Sequence, residues 1–297
     1  MLKRLIPFIL MIIAIIAFPA TADTQFSIVS PEWVAAHVND FKIRILDVRT
    51  DPYEYFRGHV PNAVHIADNT LRGPKDGMPV QYLPPDISAQ LFARAGIHND
   101  YKIIIYSEGA NVLGATMTAY ALERMGHSGV MVIDGGWSVY KTSHPTSQIY
   151  PTYKTEQLLS RDNKEVYVTT EEVRNLIGKP GVLFIDARPN KLYTGEVTYW
   201  TRNGHIPGAI NIDWHVLVNE SNPHKFKSID EIKAVYVAKG VKGTEDIIVY
   251  CGTSREATLE YFVLKHMMGY PKVRLYEGSW TEYSSHPDLP VETGNPK

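Results

Sequence analysis

The chain has 297 residues and a formal net charge of −2 at pH 7, and 44% of its residues are hydrophobic. This length fits about two globular domains, and the hydrophobic content is sufficient for a core in each. The sequence contains no basic stripe, which argues against nucleic acid as a partner. One cysteine, Cys251, excludes an internal disulfide, so it is either a small buried hydrophobe or a reactive thiol.

The first 22 residues have the pattern of a secretory signal peptide. Lys3 and Arg4 precede an apolar run of 14 residues at 5–18, and Pro19 is followed by a small-x-small cleavage site at 20–22. The run is shorter than the roughly 20 residues that span a membrane, although an uncleaved anchor is the alternative. We expect cleavage after Ala22, a periplasmic or secreted protein, and no stable membrane association afterwards.

The rest of the chain repeats itself. Each repeat has an apolar strand that ends in Asp-x-Arg, then a Gly-His-x-Pro-x-Ala motif, at 47–49 and 58–63 in the first copy and at 186–188 and 204–209 in the second. Further on, both copies have an apolar strand, a loop of small residues, a helical pattern that ends in Gly, another strand and Gly-x-Trp. This duplication predicts two domains of the same fold.

The repeats predict two tandem α/β domains. Continuous apolar strands that alternate with helical patterns are typical of parallel sheets with helices on both faces. We place the first domain at 27–147, a polar linker at 148–166, and the second domain at 167–294.

Cys251 occurs in one repeat only, since its counterpart in the first repeat is Ser107. It follows an apolar strand and precedes a helical pattern, which places it at the carboxyl end of a strand, where open α/β sheets form their crevices. A structural cysteine would more plausibly be replaced by an apolar residue or occur in both copies. We therefore interpret Cys251 as a nucleophile in an active second domain, beside a catalytically silent first domain.

The loop after the cysteine supplies the other candidate binding residues: Gly252, Thr253, Ser254, Arg255, Glu256 and Ala257. Its small polar residues allow backbone N–H groups to surround one point, and a helix N-terminus adds partial positive charge. Both favour thiolate, so we expect the pKa of Cys251 to lie below the free value of about 8.5. Arg255 would add a cation, and we expect Glu256 to face solvent in the first helical turn.

The mature chain resembles the tandem-domain rhodanese family, which comprises thiosulfate and 3-mercaptopyruvate sulfurtransferases. The motifs named above carry the resemblance in both halves, together with the strand, loop and helix around Cys251 and the segment LYEGSWTEYSSHPDLPVETG at 275–294. In that family the second domain holds the nucleophile and the first has none. The asymmetry between Cys251 and Ser107 matches this pattern.

The resemblance implies a double displacement through a persulfide on Cys251. The thiolate takes the outer sulfur of a donor such as thiosulfate, and an acceptor such as cyanide, a thiol or a thiol redox protein then takes it. No metal or other cofactor is implied. Arg188 corresponds to an arginine of the family that contacts substrate, although a structural ion pair is an equal expectation. Asp186 and His205 are expected to support the loop.

Departures from the family pattern bear on the donor. A second substrate arginine of the family is replaced by Leu192, although Lys191 or Arg202 could substitute for it. Loops of the thiosulfate type have basic residues directly after the cysteine, whereas this loop begins with Gly252 and Thr253. We therefore expect weak thiosulfate activity.

The loop is closer to the mercaptopyruvate type, which begins Cys-Gly-Ser. Those enzymes also use a His and an Asp of the first domain to assist the loop hydroxyl. Gln81 is assigned to the His position here and Asn69 to the Asp position, so Thr253 is left without an evident base. We expect inefficient turnover of mercaptopyruvate.

A rhodanese-fold phosphatase is one alternative. Such enzymes need Cys-x5-Arg, but Ala257 stands six positions after Cys251 and Arg255 only four. The spacing from Cys251 to Gly269 is one residue longer than is usual in sulfurtransferases, which is compatible with a larger loop and leaves this alternative open.

A second alternative is a non-enzymatic carrier that binds sulfane sulfur or selenium and passes it to a partner protein. Repeated turnover with a small donor and acceptor would distinguish an enzyme from a carrier that loads once.

Overall fold

The computed structural model describes residues 26–108, 113–197 and 199–295. The signal peptide expected at 1–22 lies outside these ranges. Among the helices that the structure describes, none has the length and apolar character needed to cross a membrane.

The first half is organised around one parallel sheet. Its elements in chain order are β1 (Ser27–Val29), α1 (Pro31–His37), β2 (Ile43–Asp47), α2 (Pro52–Arg57), β3 (Ala63–His65), β4 (Arg72–Lys75), β5 (Met78–Tyr82), α3 (Pro85–Arg94), β6 (Lys102–Tyr106), α4 (Leu113–Arg124), β7 (Val130–Ile133) and α5 (Gly136–Ser143). The sheet has the order β1-β7-β6-β2-β3, and β4 pairs with β5 in a separate antiparallel hairpin.

The second half repeats this arrangement. Its elements are β8 (Tyr167–Val168), α6 (Thr170–Leu176), β9 (Val182–Asp186), α7 (Asn190–Tyr193), β10 (Ile210–Asn211), β11 (Val218–Asn219), β12 (Asn222–Phe226), α8 (Ile229–Ala238), β13 (Asp246–Tyr250), α9 (Glu256–Phe262), β14 (Val273–Tyr276) and α10 (Ser279–Ser285). Strands β8-β14-β13-β9-β10 form the parallel sheet, and β11 pairs with β12 in a hairpin. The predicted pair of α/β domains is confirmed.

Both faces of each sheet are covered, which explains the continuous apolar sequence of the strands. Along β13, Ile247 and Val249 lie in one hydrophobic cluster, whereas Ile248 and Tyr250 lie in a second cluster on the opposite face. All four side chains are fully buried. Burial of each aliphatic side chain contributes about 1.5–3 kcal/mol. The strand end that carries Cys251 is therefore held firmly from both sides.

The two halves share one hydrophobic cluster, to which both sheets contribute. Helix α4 packs on α9 there, with Thr116 Oγ1 and Thr258 Oγ1 3.0 Å apart. The rings of Tyr120 and Tyr261 meet edge to face, with 5.3 Å between their centroids. This common core joins the halves, so loops of one half can reach the site of the other.

The long spacing between Cys251 and Gly269 is accommodated in a helix. Directly after α9, residues Val263–Met267 form a π-helical turn. A π turn holds one residue more than an α turn. This turn accommodates one residue more than an α-helical turn would, so the long spacing does not require a larger loop.

Candidate active site

Strand β13 delivers Cys251 to the carboxyl edge of the second sheet, where the thiol is fully buried. Its backbone is fixed by the start of α10: the Cys251 N–H donates to Ser279 Oγ at 3.2 Å, and the Trp280 N–H donates to the Cys251 carbonyl at 2.9 Å. The Gly-x-Trp motif thus holds the nucleophile by its main chain and leaves the sulfur to the loop.

The loop directs two backbone amides at the sulfur. Ser254 adopts a left-handed conformation with φ +56°, which turns the chain sharply. The N–H groups of Thr253 and Ala257 bond to the Cys251 sulfur and lower its pKa. The predicted set of inward N–H groups is present at these two positions.

The expectation of a low pKa for Cys251 is nevertheless wrong. Burial raises the pKa of this thiol well above its ordinary value, because desolvation penalises the thiolate. The negative charge of Glu256 and its hydrogen bond with the thiol raise the pKa further, and the two amides offset this only in part. The resting site therefore favours the neutral thiol.

The expectation that Glu256 faces solvent is also wrong. Its side chain is half-buried and turns inward to interact with Cys251. Its Oε2 is buried, and among the described residues it has no hydrogen-bond partner. Glu256 is the first residue of α9, and a helical pattern in the sequence does not reveal this inward orientation.

Arg188 has the geometry of a structural ion pair. Its Nε and Nη2 reach the Asp186 carboxylate at 2.9 and 2.5 Å, and Nη2 also donates to the Gly204 carbonyl at 2.7 Å. The side chain is only 1% exposed and lies over the Trp280 ring at 4.7 Å. Of the two expected roles, this arrangement favours support of the site over contact with substrate.

Arg255 is paired with a carboxylate of the first half. Its Nη2 donates to Asp68 Oδ2, and Asp68 is fully buried and also accepts from Thr50 Oγ1 at 3.0 Å. Asn69, which is assigned to the Asp position of the mercaptopyruvate enzymes, is exposed, whereas its neighbour Asp68 points inward and binds the loop arginine. Alternation provides the missed signal, since Ile66 and Asp68 continue the inward face beyond β3.

The hairpin of β4 and β5 covers the loop from the first half. Arg72 Nη1 donates to the Thr253 carbonyl at 2.6 Å, and the Tyr82 hydroxyl donates to the Ser254 carbonyl at 3.3 Å. These bonds join the hairpin of the first half to the loop of the second half. Neither Arg72 nor Tyr82 is predicted from the sequence as a site residue.

Gln81 lies in the same hairpin but does not reach the loop hydroxyl. Its Nε2 is 3.4 Å from Glu282 Oε2 on α10. This contact agrees with the prediction that Gln81 supplies no base to the Thr253 hydroxyl. Inefficient turnover of mercaptopyruvate remains a prediction.

The insertion of the second repeat closes the site from the other side. A Cβ on Gly252 would lie 2.7 Å from Trp200 Cζ2, so only glycine fits under this ring. Trp200 Nε1 donates to Thr281 Oγ1 at 2.8 Å, and Thr281 Oγ1 donates to the Gly252 carbonyl at 2.8 Å. The indole is thereby fixed over the start of the loop.

Neither substitute for the missing arginine has the geometry of an anion clamp. Lys191 is exposed. The Arg202 guanidinium is engaged with the backbone carbonyls of Tyr283, Ser284, His286 and Leu289. Leu192 itself is half-buried.

Asp186 and His205 make structural contacts next to the site, and their expected support of the loop remains a prediction. Asp186 accepts from the Arg188 N–H at 3.0 Å as well as from its guanidinium. The His205 ring stacks on Tyr193 at 3.7 Å, and its Nδ1 lies 2.8 Å from the Tyr193 carbonyl. Across the residues that the structure describes, no group of three His, Cys, Asp or Glu side chains is suited to hold a metal.

This fold and site define a tandem rhodanese. The family model described as "Rhodanese-like domain" matches residues 30–143 and 169–286, so the chain belongs to the rhodanese family and carries two copies of its domain.

Known relatives cover almost the whole chain. A "putative thiosulfate sulfurtransferase" of Synechococcus elongatus is 48% identical over 93% of this chain and 88% of its own length. The "sulfur carrier protein TtuD" of Thermus thermophilus is 32% identical over 90% of this chain and 96% of its own. The solved 3-mercaptopyruvate sulfurtransferase SseA of Escherichia coli superimposes with a TM-score of 0.76 at 27% identity, over 85% of this chain and 98% of its own.

Proposed function

We propose that this protein is a sulfurtransferase that carries sulfane sulfur as a persulfide on Cys251. The observation that carries the proposal is the position of the thiol: it ends a buried strand, and the amides of Thr253 and Ala257 point at its sulfur. The sulfurtransferase names of relatives that match nearly the full chain support the same reaction class.

The reaction has two displacements. In the first, the Cys251 sulfur attacks the outer sulfur of the donor, the S–S bond of the donor breaks, and its electron pair leaves with sulfite or a thiolate. In the second, a thiol or cyanide attacks the outer sulfur of the persulfide and restores Cys251. The two inward amides stabilise negative charge on the sulfur in a site closed to bulk water.

Thiosulfate is a poor fit among the donors. Leu192 replaces an arginine of the family pattern, Arg188 and Arg255 are each paired with a carboxylate, and Arg72 is bonded to the Thr253 carbonyl. A dianion would therefore gain little from them. Weak thiosulfate activity is part of the proposal.

The carrier alternative has a specific observation in its favour, since one relative that matches 90% of the chain is named a sulfur carrier. A carrier would load one sulfur on Cys251 and release it only to its partner protein. Continuous turnover with a small acceptor would exclude this role.

Export is proposed from the N-terminal pattern alone. Lys3, Arg4 and the apolar run at 5–18 would direct the chain to the periplasm or medium, with cleavage after Ala22. Cell fractionation and the N-terminal sequence of the mature protein test this directly.

The central experiment is incubation of the mature protein with thiosulfate, mercaptopyruvate or polysulfide, followed by intact mass measurement. We expect a mass increase of one sulfur atom on Cys251 with at least one donor, and its loss when cyanide or a thiol is added. No adduct with any donor would contradict the proposal.

A further inference from the structure

The charges around the Cys251 sulfur are unusual for a site that would take an anionic donor. Arg188 is the cation that interacts with the thiol from behind the sheet, and its charge is balanced by Asp186. Tyr82 faces the thiol from the covering hairpin as a neutral phenol, because burial raises its pKa. Glu256 adds a negative charge. The described side chains that interact electrostatically with the thiol thus include a neutralised cation, a phenol and a carboxylate.

The other basic residues of the loop region are also committed. Arg255 is paired with the buried carboxylate of Asp68. Arg72 donates to the Thr253 carbonyl on the outer side of the loop at 2.6 Å. These contacts position the loop. The carboxylate of Glu256 belongs to the loop segment itself and interacts with the thiol as a negative charge.

Glu256 is placed to exchange a proton with Cys251. Its carboxylate interacts with the thiol and belongs to the same short segment, five positions further along. Its Oε2 is buried, and within the described ranges nothing donates a hydrogen bond to it. A buried carboxylate oxygen without a donor costs free energy, so a structural role explains its position poorly. A proton that passes between the thiol and the carboxylate would give this oxygen the hydrogen-bond partner that it lacks.

We infer that Glu256 is the acid–base group of the sulfur transfer, which takes the proton of the Cys251 thiol and returns it to the leaving sulfur, and that this suits the site to hydropersulfide donors, R–S–S–H. This inference rests on the proposed function. It adds a catalytic role for Glu256 and a chemical class of donor.

The step is balanced without any further reactant. The Glu256 carboxylate accepts the Sγ proton while the Sγ electron pair attacks the outer sulfur of R–S–S–H. The S–S bond of the donor breaks, and its electron pair goes to the inner sulfur. Protonated Glu256 then donates its proton to this thiolate, so R–SH leaves, Cys251–S–SH remains and the carboxylate is restored.

The two donor classes respond oppositely to this carboxylate. A leaving thiolate is basic and benefits from a positioned acid, which typically contributes on the order of 10²–10⁴-fold. Sulfite is a weaker base and gains less from the acid, while the thiosulfate dianion is repelled by the carboxylate. Glu256 therefore accelerates transfer from a hydropersulfide and opposes binding of thiosulfate.

The test compares Glu256→Gln with the parent for two donors, glutathione hydropersulfide and thiosulfate, at equal pH and low salt. Glutamine keeps the size of the side chain but cannot accept the proton. We expect kcat/KM with the hydropersulfide to fall on the order of 10²-fold and that with thiosulfate to stay equal or rise severalfold. Glu108→Gln, beside Ser107 in the other half, serves as the matched control and should change neither value.

Two further measurements separate proton transfer from loop support. Formate or acetate should restore hydropersulfide turnover in Glu256→Ala, because a small carboxylate can occupy the vacated space. The pH midpoint for alkylation of Cys251 should move downward in Glu256→Gln. Equal losses with both donors, or no loss with either, would overturn the role of Glu256. Absence of any persulfide in the parent would instead overturn the proposed function itself.

Discussion

The sites around Cys251 and Ser107 are built on the same scaffold. In each half an arginine two residues after the strand is held by the strand's last aspartate and donates to a glycine carbonyl at 2.7 Å, as Arg49 and Arg188 do. In each half the tryptophan of Gly-x-Trp donates its N–H to the carbonyl of the residue at the strand end, at 3.1 Å for Ser107 and 2.9 Å for Cys251. Since the scaffold occurs with and without the thiol, it is a feature of the fold, and the chemistry lies in the residues that differ.

The hairpins that cover the two sites differ. The hairpin over Cys251 comes from the first half and places Arg72 and Tyr82 on the carbonyls of the loop. The hairpin over Ser107 comes from the second half and places His224 Nδ1 3.3 Å from Ser107 Oγ. The hydrogen bonds of the first hairpin thus go to the carbonyls of the loop, whereas the second hairpin contacts the strand-end side chain itself.

The largest expected effect comes from Cys251→Ser. A hydroxyl is a far weaker nucleophile of nearly the same volume, so we expect sulfur transfer to be lost and the fold to be kept. Steady-state turnover and intact mass after donor treatment measure this. Ser107→Ala, the corresponding change in the silent half, should leave turnover near the parent value. Measurable turnover by Cys251→Ser would show that another group carries the sulfur.

Replacement of the buried aspartate at the end of the strand should lower the free energy of unfolding by a similar amount in either half. Asp186→Asn leaves Arg188 buried without its charged partner, which typically destabilises by about 3–5 kcal/mol. Asp47→Asn should cost a similar amount through Arg49, because the contacts are alike. Chemical denaturation of the parent and the two variants measures the loss in free energy of unfolding that each substitution causes. A large effect in the second half only would mean that the scaffold is specialised for the thiol.

Helices α4 and α9, which pack on each other, each carry a buried carboxyl group, and the pKa values of these two groups shift in opposite directions. Burial raises the pKa of Glu260 on α9 to about 8, whereas His266 and Lys265 lower the pKa of Glu123 on α4 despite its burial. Folded Glu260 keeps its proton while the unfolded chain loses it, so stability should fall as pH rises from about 4.5 to 8. Glu260→Gln should remove this loss, on the order of a few kcal/mol at pH 8.

Unfolding of the parent and variants in denaturant between pH 5 and pH 8 tests this contrast. Glu123→Gln should destabilise across the range, because it removes the charged partner of Lys265 and His266. If Glu260→Gln unfolds with the same pH dependence as the parent, the carboxyl of Glu260 is not the group that titrates.

The smallest expected effect concerns thiosulfate. An arginine at position 192 would add a charge-assisted contact for the dianion, worth roughly 1.5–3 kcal/mol. Leu192→Arg should therefore raise thiosulfate kcat/KM on the order of tenfold to a hundredfold, provided that the variant melts like the parent. Strong activity in the parent that does not rise in the variant would mean that a residue already present supplies the clamp.

Local patterns were sufficient to predict the sheets, the duplication and Cys251 as the distinctive residue. Strands such as β13 are apolar throughout because both of their faces are buried, and that signal is local. The inward turn of Glu256 was not predictable, since it depends on the left-handed conformation of Ser254. Arg72 was missed because it contacts Thr253 across 181 positions and between the halves.

The two halves exchange hairpins as the subunits of a two-fold symmetric dimer would, although both halves belong to one chain. Each half covers the site of the other, and Thr116 meets Thr258 where α4 and α9 pack. In a dimer of identical chains, every substitution appears on both sides of such an interface. A fused pair is free of that constraint. Cys251 and Ser107, or Tyr82 over one site and His224 over the other, can therefore differ while the surfaces that join the halves remain complementary.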